Sequence, residues 1–224
     1  MLQSLKRSIR FALIGTGIIF FSLLTVFYFP NIKVADTSQS IFVPTGTSFA
    51  KLKEILEPHL RSEITFSLAA KAKRFDTPRI GHFVLKPSMG NQQIINALRS
   101  GNTPIQVVFN NQQTIADLSG RVAEQLELDS LSLIKEIESP YFMESVNLNR
   151  EELLSLFLPN SYEMYWNISA AEFCQRMQRE NDLFWNESRE SKRKRLNMSR
   201  AEVITLAAIV NEESRKVDER PRVA

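Results

Sequence analysis

Residues 11–29 read FALIGTGIIFFSLLTVFYF, nineteen residues without a charge. A helix needs about 20 apolar residues to cross a bilayer core, so this run limits the start of the chain to very few fates. Lys6, Arg7 and Arg10 precede it, and no acidic residue occurs before residue 31. Tyr28 and Pro30 mark the far interface. The excess of positive charge ahead of the run predicts a cytoplasmic N-terminus and a bulk that lies outside the membrane. A cleaved signal peptide is the alternative. It calls for a shorter apolar region followed by a small-x-small site, whereas YFPNIK follows here. The expectation is an uncleaved single-pass anchor in the cell inner membrane, with the rest of the chain periplasmic.

Charge then narrows the function. The chain has 28 Lys and Arg against 25 Asp and Glu, a net charge of +3. Residues 1–30 account for all of that excess, and the other 194 residues hold 25 of each sign. A membrane explains the imbalance better than nucleic acid does. The basic run SRESKRKRLNMS (188–199) contains no aromatic residue and reads as a solvated helix end and loop. A lone cysteine, Cys174, excludes a disulfide framework and a Cys-rich zinc site. It falls in a helical pattern and reads as a small buried hydrophobe. His59 and His82 are too few for a His-based metal site or triad.

The rest reads as α+β and helix-rich. Residues 31–40 (NIKVADTSQS) are polar and read as a linker. A strand over 41–44, helices over 48–60 and 63–75, and a strand over 81–87 make a strand–helix–helix–strand module, with Thr47 as the first helix cap. A helix over 91–101 ends at Gly101. A strand over 104–111 precedes a helix that Thr114 and Asp117 cap and that 131–137 continues. Pro140 opens a loop, 151–157 is helical, and 158–166 (LPNSYEMYW) is irregular and aromatic. Ser169 caps a long amphipathic helix. The domain reading is a tip and anchor at 1–30, a linker at 31–40, a first module at 41–103 and a second domain at 104–224.

The last stretch, MSRAEVITLAAIVNEESRK, opens with a capping box, Ser199 and Glu202, so a helix starts at Arg200. At about 100° per residue, Leu206, Ile209, Val210 and Glu213 share one face, and Glu212 points away. An acid at the end of an apolar stripe is disfavoured in its charged form, which suits a general acid. A helix-end Glu that reaches water or pairs with Arg215 or Arg220 remains the alternative. Asn211 lies near the polar edge.

Three segments carry a resemblance. GHFVLKPSMGNQQIINALRSG, FLPNSYEMYW and LAAIVNEESRKVDERPRVA, in that order behind an anchor, are similar to the endolytic murein transglycosylases, the MltG-like or YceG-like family. The likeness runs over nearly the whole chain, and the third segment is the most specific. It implies a LysM-like first module and an enzyme, a lyase, that cleaves peptidoglycan glycan strands internally. The product carries a 1,6-anhydro-N-acetylmuramic acid end. It implies that Glu213, matching the second acid of the family's E-x-E-T signature, is catalytic. Asn211 and Ser214 stand at the signature's first acid and its Thr. With Glu219, Asn160 and Tyr162 they form the expected substrate-binding or supporting set, and the implied reaction requires no metal and no organic cofactor. Leu154 and Ser155 occupy positions where the family often has Glu-Gly. Family members continue past the V-A of the signature, so the chain is expected to be a fragment, weakly active or inactive as it stands. Glycan strands, the membrane and peptidoglycan synthases are the implied partners, and nucleic acid is not one. The competing reading is a non-catalytic, membrane-anchored peptidoglycan-binding scaffold.

Overall fold

A computed structural model describes residues 2–33, 36–214 and 218–223. The chain divides into two compact units, Met1–Pro104 and Ile105–Ala224. Both are mixed α+β, rich in helix, with a two-stranded antiparallel sheet each.

The first unit runs α1 (Leu2–Tyr28), β1 (Gln39–Val43), α2 (Phe49–Leu56), a 3-10 turn (Glu57–His59), α3 (Glu63–Ala72), β2 (Gly81–Leu85) and α4 (Asn91–Ser100). β1 pairs with β2, and Ile41 lies opposite Phe83. Ile41 and Val43 alternate inward while Phe42 stays outside, as a strand with one buried face requires. Leu52, Leu56, Phe66, Ala69, Ile94 and Leu98 close the core from the helices. Ser48, not Thr47, caps α2, because its side chain is the one that accepts the Lys51 N–H. Gly81 has φ +129°, and a Cβ there would overlap the Asn102 amide. That amide accepts the His82 N–H at 3.0 Å, so the tight approach fixes the entry to β2.

The polar stretch 31–40 does not begin as a linker. Asn31 and Ile32 are buried in the first unit, and β1 already starts at Gln39. Val26 and Phe27 of α1 pack on the same core. Helix and module therefore join without slack. Among the described residues no helix is long and apolar enough to cross a membrane. The side chains of Phe11, Ala12 and Ile19, which belong to the uncharged run, lie outside the described set.

The second unit runs β3 (Ile105–Phe109), α5 (Ile115–Ala123), α6 (Ser130–Ile137), α7 (Pro140–Val146), a 3-10 turn (Leu153–Leu156), β4 (Asn160–Met164), α8 (Ala170–Phe184), α9 (Glu187–Leu196), α10 (Arg200–Glu213) and α11 (Arg220–Val223). Three expectations fail here. Residues 158–166 are not irregular: β4 pairs antiparallel with β3, Tyr162 opposite Val107. Tyr162 and Met164 point inward and Ser161 and Glu163 outward, a period of two that the aromatic composition obscured. Pro140 opens α7 rather than a loop, because a proline at the first helical position gives up no needed N–H, and Ser139 caps it. The helix after Thr114 is interrupted: Asp129 caps a separate α6.

The basic run forms most of α9 and is largely exposed. Glu190 accepts from Arg200 Nε at 2.6 Å and Arg193 Nη2 at 2.8 Å, and these guanidinium groups hold its carboxyl below the usual range. Cys174 lies fully inside the core of the second unit. Burial pushes its thiol up to about 12. Since the thiolate is the reactive form, Cys174 is expected to resist a thiol reagent at neutral pH and to react at once on unfolding. Rapid labelling of the folded chain would contradict this burial.

Candidate active site

The local sequence explains why α10 stands where it does. Ser199 accepts the Glu202 N–H at 3.1 Å, and Glu202 Oε2 accepts the Ser199 N–H at 2.6 Å. These two bonds satisfy backbone donors that a helix start leaves open. The Ser199 N–H, with the Ser199 hydroxyl, holds the Glu202 carboxyl below its ordinary range. The helix then runs to Glu213, its last residue, and Ser214 follows in extended conformation.

Glu213 is exposed. The burial expected of its stripe is not there: Leu206 is 39% and Ile209 53% exposed, while Val210 is 8%. The physical reason is the rotation of the helix. α10 packs on the 3-10 turn Leu153–Leu156. The side it covers holds Ala201, Ile204, Ala208 and Val210. Leu206, Ile209 and Glu213 turn outward together with Glu212.

Behind Glu213 the chain is braced. Ser214 is buried, and its N–H donates to the Val210 carbonyl at 3.1 Å. Its hydroxyl donates to Glu219 Oε2 at 3.3 Å, and Arg220 Nε donates to the Ser214 carbonyl at 3.2 Å. Hydrogen bonds thus tie Ser214 to Glu219 and Arg220 just past the end of α10. Arg215 lies outside the described residues.

Asn211 is half-buried and lines a groove of about 580 Å³ along α10. Its walls are Val203, Ile204, Ala207, Leu158 and Pro159, and its polar groups come from Asn111, Asn211 and Arg220. A neighbouring hollow of about 220 Å³ shares Asn111, Pro159, Ile204 and Ala208 and reaches Leu154 and Ser155. Glu213 is not among the lining residues of either. Sequence reasoning missed Asn111. The available signal was its place in a polar loop directly after a strand, where binding groups concentrate.

Asn160 is exposed at the start of β4, where its side-chain oxygen accepts the Ser161 N–H at 2.8 Å. Tyr162 is not at the surface. It is 5% exposed, stacks on Phe109 at 5.4 Å and donates its hydroxyl to the Leu158 carbonyl at 2.5 Å. It therefore shapes the groove by holding Leu158. Burial raises its phenol to about 12 from an ordinary value of 10.0. A group whose folded pKa is raised contributes fully below its unfolded pKa, so its contribution is present below pH 10 and is lost as pH rises toward 12. One of the four tyrosines should ionise late in an ultraviolet titration. Tyr162→Phe should remove that phase. A late phase that persists in Tyr162→Phe would refute it.

Among the described residues no group of three or more His, Cys, Asp or Glu could hold a metal ion. The YceG-like family matches residues 41–224, a range that includes the groove, the braced turn and Glu213. This chain belongs to the YceG-like family. That is the family the three sequence segments resemble, and membership associates the YceG-like chain with murein, the cell-wall polymer. The chain is also similar to the crystal structure of a protein described as YceG-like from Listeria monocytogenes, with 21% identity and a TM-score of 0.48. That similarity covers 82% of this chain and 66% of the other, short of two thirds of its length. No curated protein matches.

Proposed function

We propose that this chain is an endolytic murein transglycosylase, with Glu213 as its acid and base. The observation that carries the reading is the position of Glu213. It ends α10 with its side chain open to solvent, on a braced turn, while Asn211 two residues earlier lines the groove. A glycan strand lying over this end would exclude water from Glu213.

The chemistry then follows from the product. Protonated Glu213 gives its proton to the glycosidic oxygen as the bond from muramic acid C1 breaks. The resulting carboxylate takes the proton of the C6 hydroxyl on the same sugar, and O6 bonds to C1. The 1,6-anhydro ring closes, no water is consumed, and Glu213 is again protonated. One carboxyl acts first as acid and then as base, in place of the two carboxylates of ordinary glycosidases.

The same proposal includes the setting. Residues 11–29 cross the inner membrane, the bulk is periplasmic, and the first unit serves as a LysM-like glycan-binding module. Peptidoglycan synthases are the proposed protein partners. One observation favours the second reading, a non-catalytic peptidoglycan-binding scaffold: Asn211 replaces the first acid of the signature.

The deciding experiment is digestion of purified sacculi, with mass spectrometry of the products. Anhydromuramic ends that require Glu213 support the transglycosylase. Binding to sacculi with no released product supports the scaffold.

A further inference from the structure

The two units carry opposite charge. Residues 31–104 hold ten Lys and Arg against five Asp and Glu, a net +5, whereas residues 105–224 hold 15 against 20, a net −5. The balance of the whole conceals a strongly basic first unit.

That unit is also tied to α1. Asn91 Nδ2 donates to the Val26 carbonyl at 2.7 Å, and Asn31 Nδ2 donates to Asn91 Oδ1 at 2.7 Å. The Gly90 Cα comes so near the Phe27 and Tyr28 carbonyls that a Cβ there would meet them at 2.9 and 2.8 Å. α3 and α4 pack against the end of α1. The helix is thus gripped at its last turn, where Tyr28 and Phe29 are exposed. Aromatic residues of this kind favour the level of lipid headgroups.

α3, beside this junction, keeps an unpartnered face. Ile64 is 75% and Leu68 55% exposed, one turn apart, and Lys71 follows on the same face. Lys73 lies 5.9 Å from the Phe27 ring, and Arg99 donates to the Lys73 carbonyl at 2.6 Å. Apolar side chains beside cations, next to the end of an uncharged helix, match a bilayer interface with anionic headgroups.

We infer that the α3 face of the first unit (Ile64, Leu68 and Lys71, with Lys73 at the α1 junction) rests on the anionic surface of the bilayer that α1 enters. The inference rests on the proposed span. It adds that the unit itself is a lipid-contacting element, held down by charge and two aliphatic side chains. Each basic residue held at an anionic surface is worth about a fivefold change in partitioning.

The test uses the full chain in vesicles of phosphatidylethanolamine with phosphatidylglycerol, and in phosphatidylcholine alone. Leu68→Cys is labelled with an environment-sensitive dye, and the buried Cys174 stays unlabelled. Lipids with a shallow nitroxide report contact, aqueous iodide reports exposure, and carbonate extraction reports the span. Leu131→Cys in the second unit gives the exposed reference. The expected result is strong nitroxide quenching at residue 68 in anionic vesicles. It should fall severalfold in phosphatidylcholine and about fivefold in Lys71→Gln, which removes one basic charge. A label at 68 that iodide quenches like the label at 131, in a carbonate-resistant chain, overturns the inference and leaves the span intact. Loss of the chain to carbonate refutes the span, and the inference that rests on it falls with it.

Discussion

Glu213→Gln is expected to lower glycan cleavage by about 10²- to 10⁴-fold relative to the parent chain, the range that a positioned acid-base group supplies. Glutamine keeps the shape and the hydrogen bonding of the side chain and removes the transferable proton. The residue is exposed, so the substitution should leave stability within about 0.5 kcal/mol of the parent. Loss of rate with an unchanged unfolding temperature therefore separates chemistry from folding. Asn211→Ala sits on the groove wall, two residues away, and should weaken substrate capture more than turnover. A parent-like rate in Glu213→Gln would remove this residue from the reaction.

Asn91→Ala is expected to cost about 2–4 kcal/mol of stability in the first unit, because each buried polar group left without a partner costs about 1–3 kcal/mol. Two partners lose their bond at once. The Val26 carbonyl, near the end of α1, loses its donor, and the Asn31 amide loses its acceptor. Asn91 is 1% and Asn31 4% exposed, so water does not replace either bond without opening the structure. Asn31 still holds Ser62 through both its oxygen and its nitrogen, which keeps the estimate from rising further. In a unit of this size about 1 kcal/mol moves Tm by 4–8 °C, so the transition should fall by about 8 °C or more. Asn91→Asp keeps the acceptor for Asn31 but sets a buried carboxylate against the Val26 carbonyl, and should destabilise at least as much as Ala. A shift under about 4 °C in Asn91→Ala would show that the junction is not held by this pair.

Local signals carried far in this sequence where one residue decides the outcome. The capping boxes at Ser169 and Ser199 and the cap at Thr114 act within a single turn, and the helices begin where those residues say. β4 failed because its reason is not local. Its inward residues, Tyr162 and Met164, read as a strand once β3 lies beside them, and β3 is far away in sequence. Asn31 and Ile32 misled for the same cause: they look like linker and become core through Ser62, Asn91 and Leu60. At the site, spacing placed Glu213 at the end of α10 and on one face with Leu206 and Ile209. It could not say that this face would stay uncovered, since the neighbours that cover α10 come from residues 153–156. Tyr162 was chosen for its place in an aromatic segment, and the structure puts it inside, holding Leu158 from behind.

The pairing of β3 with β4 bears on how the chain is made. About fifty residues separate Phe109 from Asn160, and at 5–20 residues per second that is roughly 3–10 s of translation. During that interval β3 lacks the strand it pairs with, and a strand formed there would offer an open edge that other chains can add to. α5, α6 and α7 are synthesised within the gap, and β3 and α5 are in contact in the finished unit. Early docking of α5 on β3 would shield one face of the nascent strand and leave its edge free. Slow synthesis through residues 110–160 would lengthen that exposure, and substitutions that weaken the Thr114 cap would show their cost first as insoluble protein rather than as a lowered Tm.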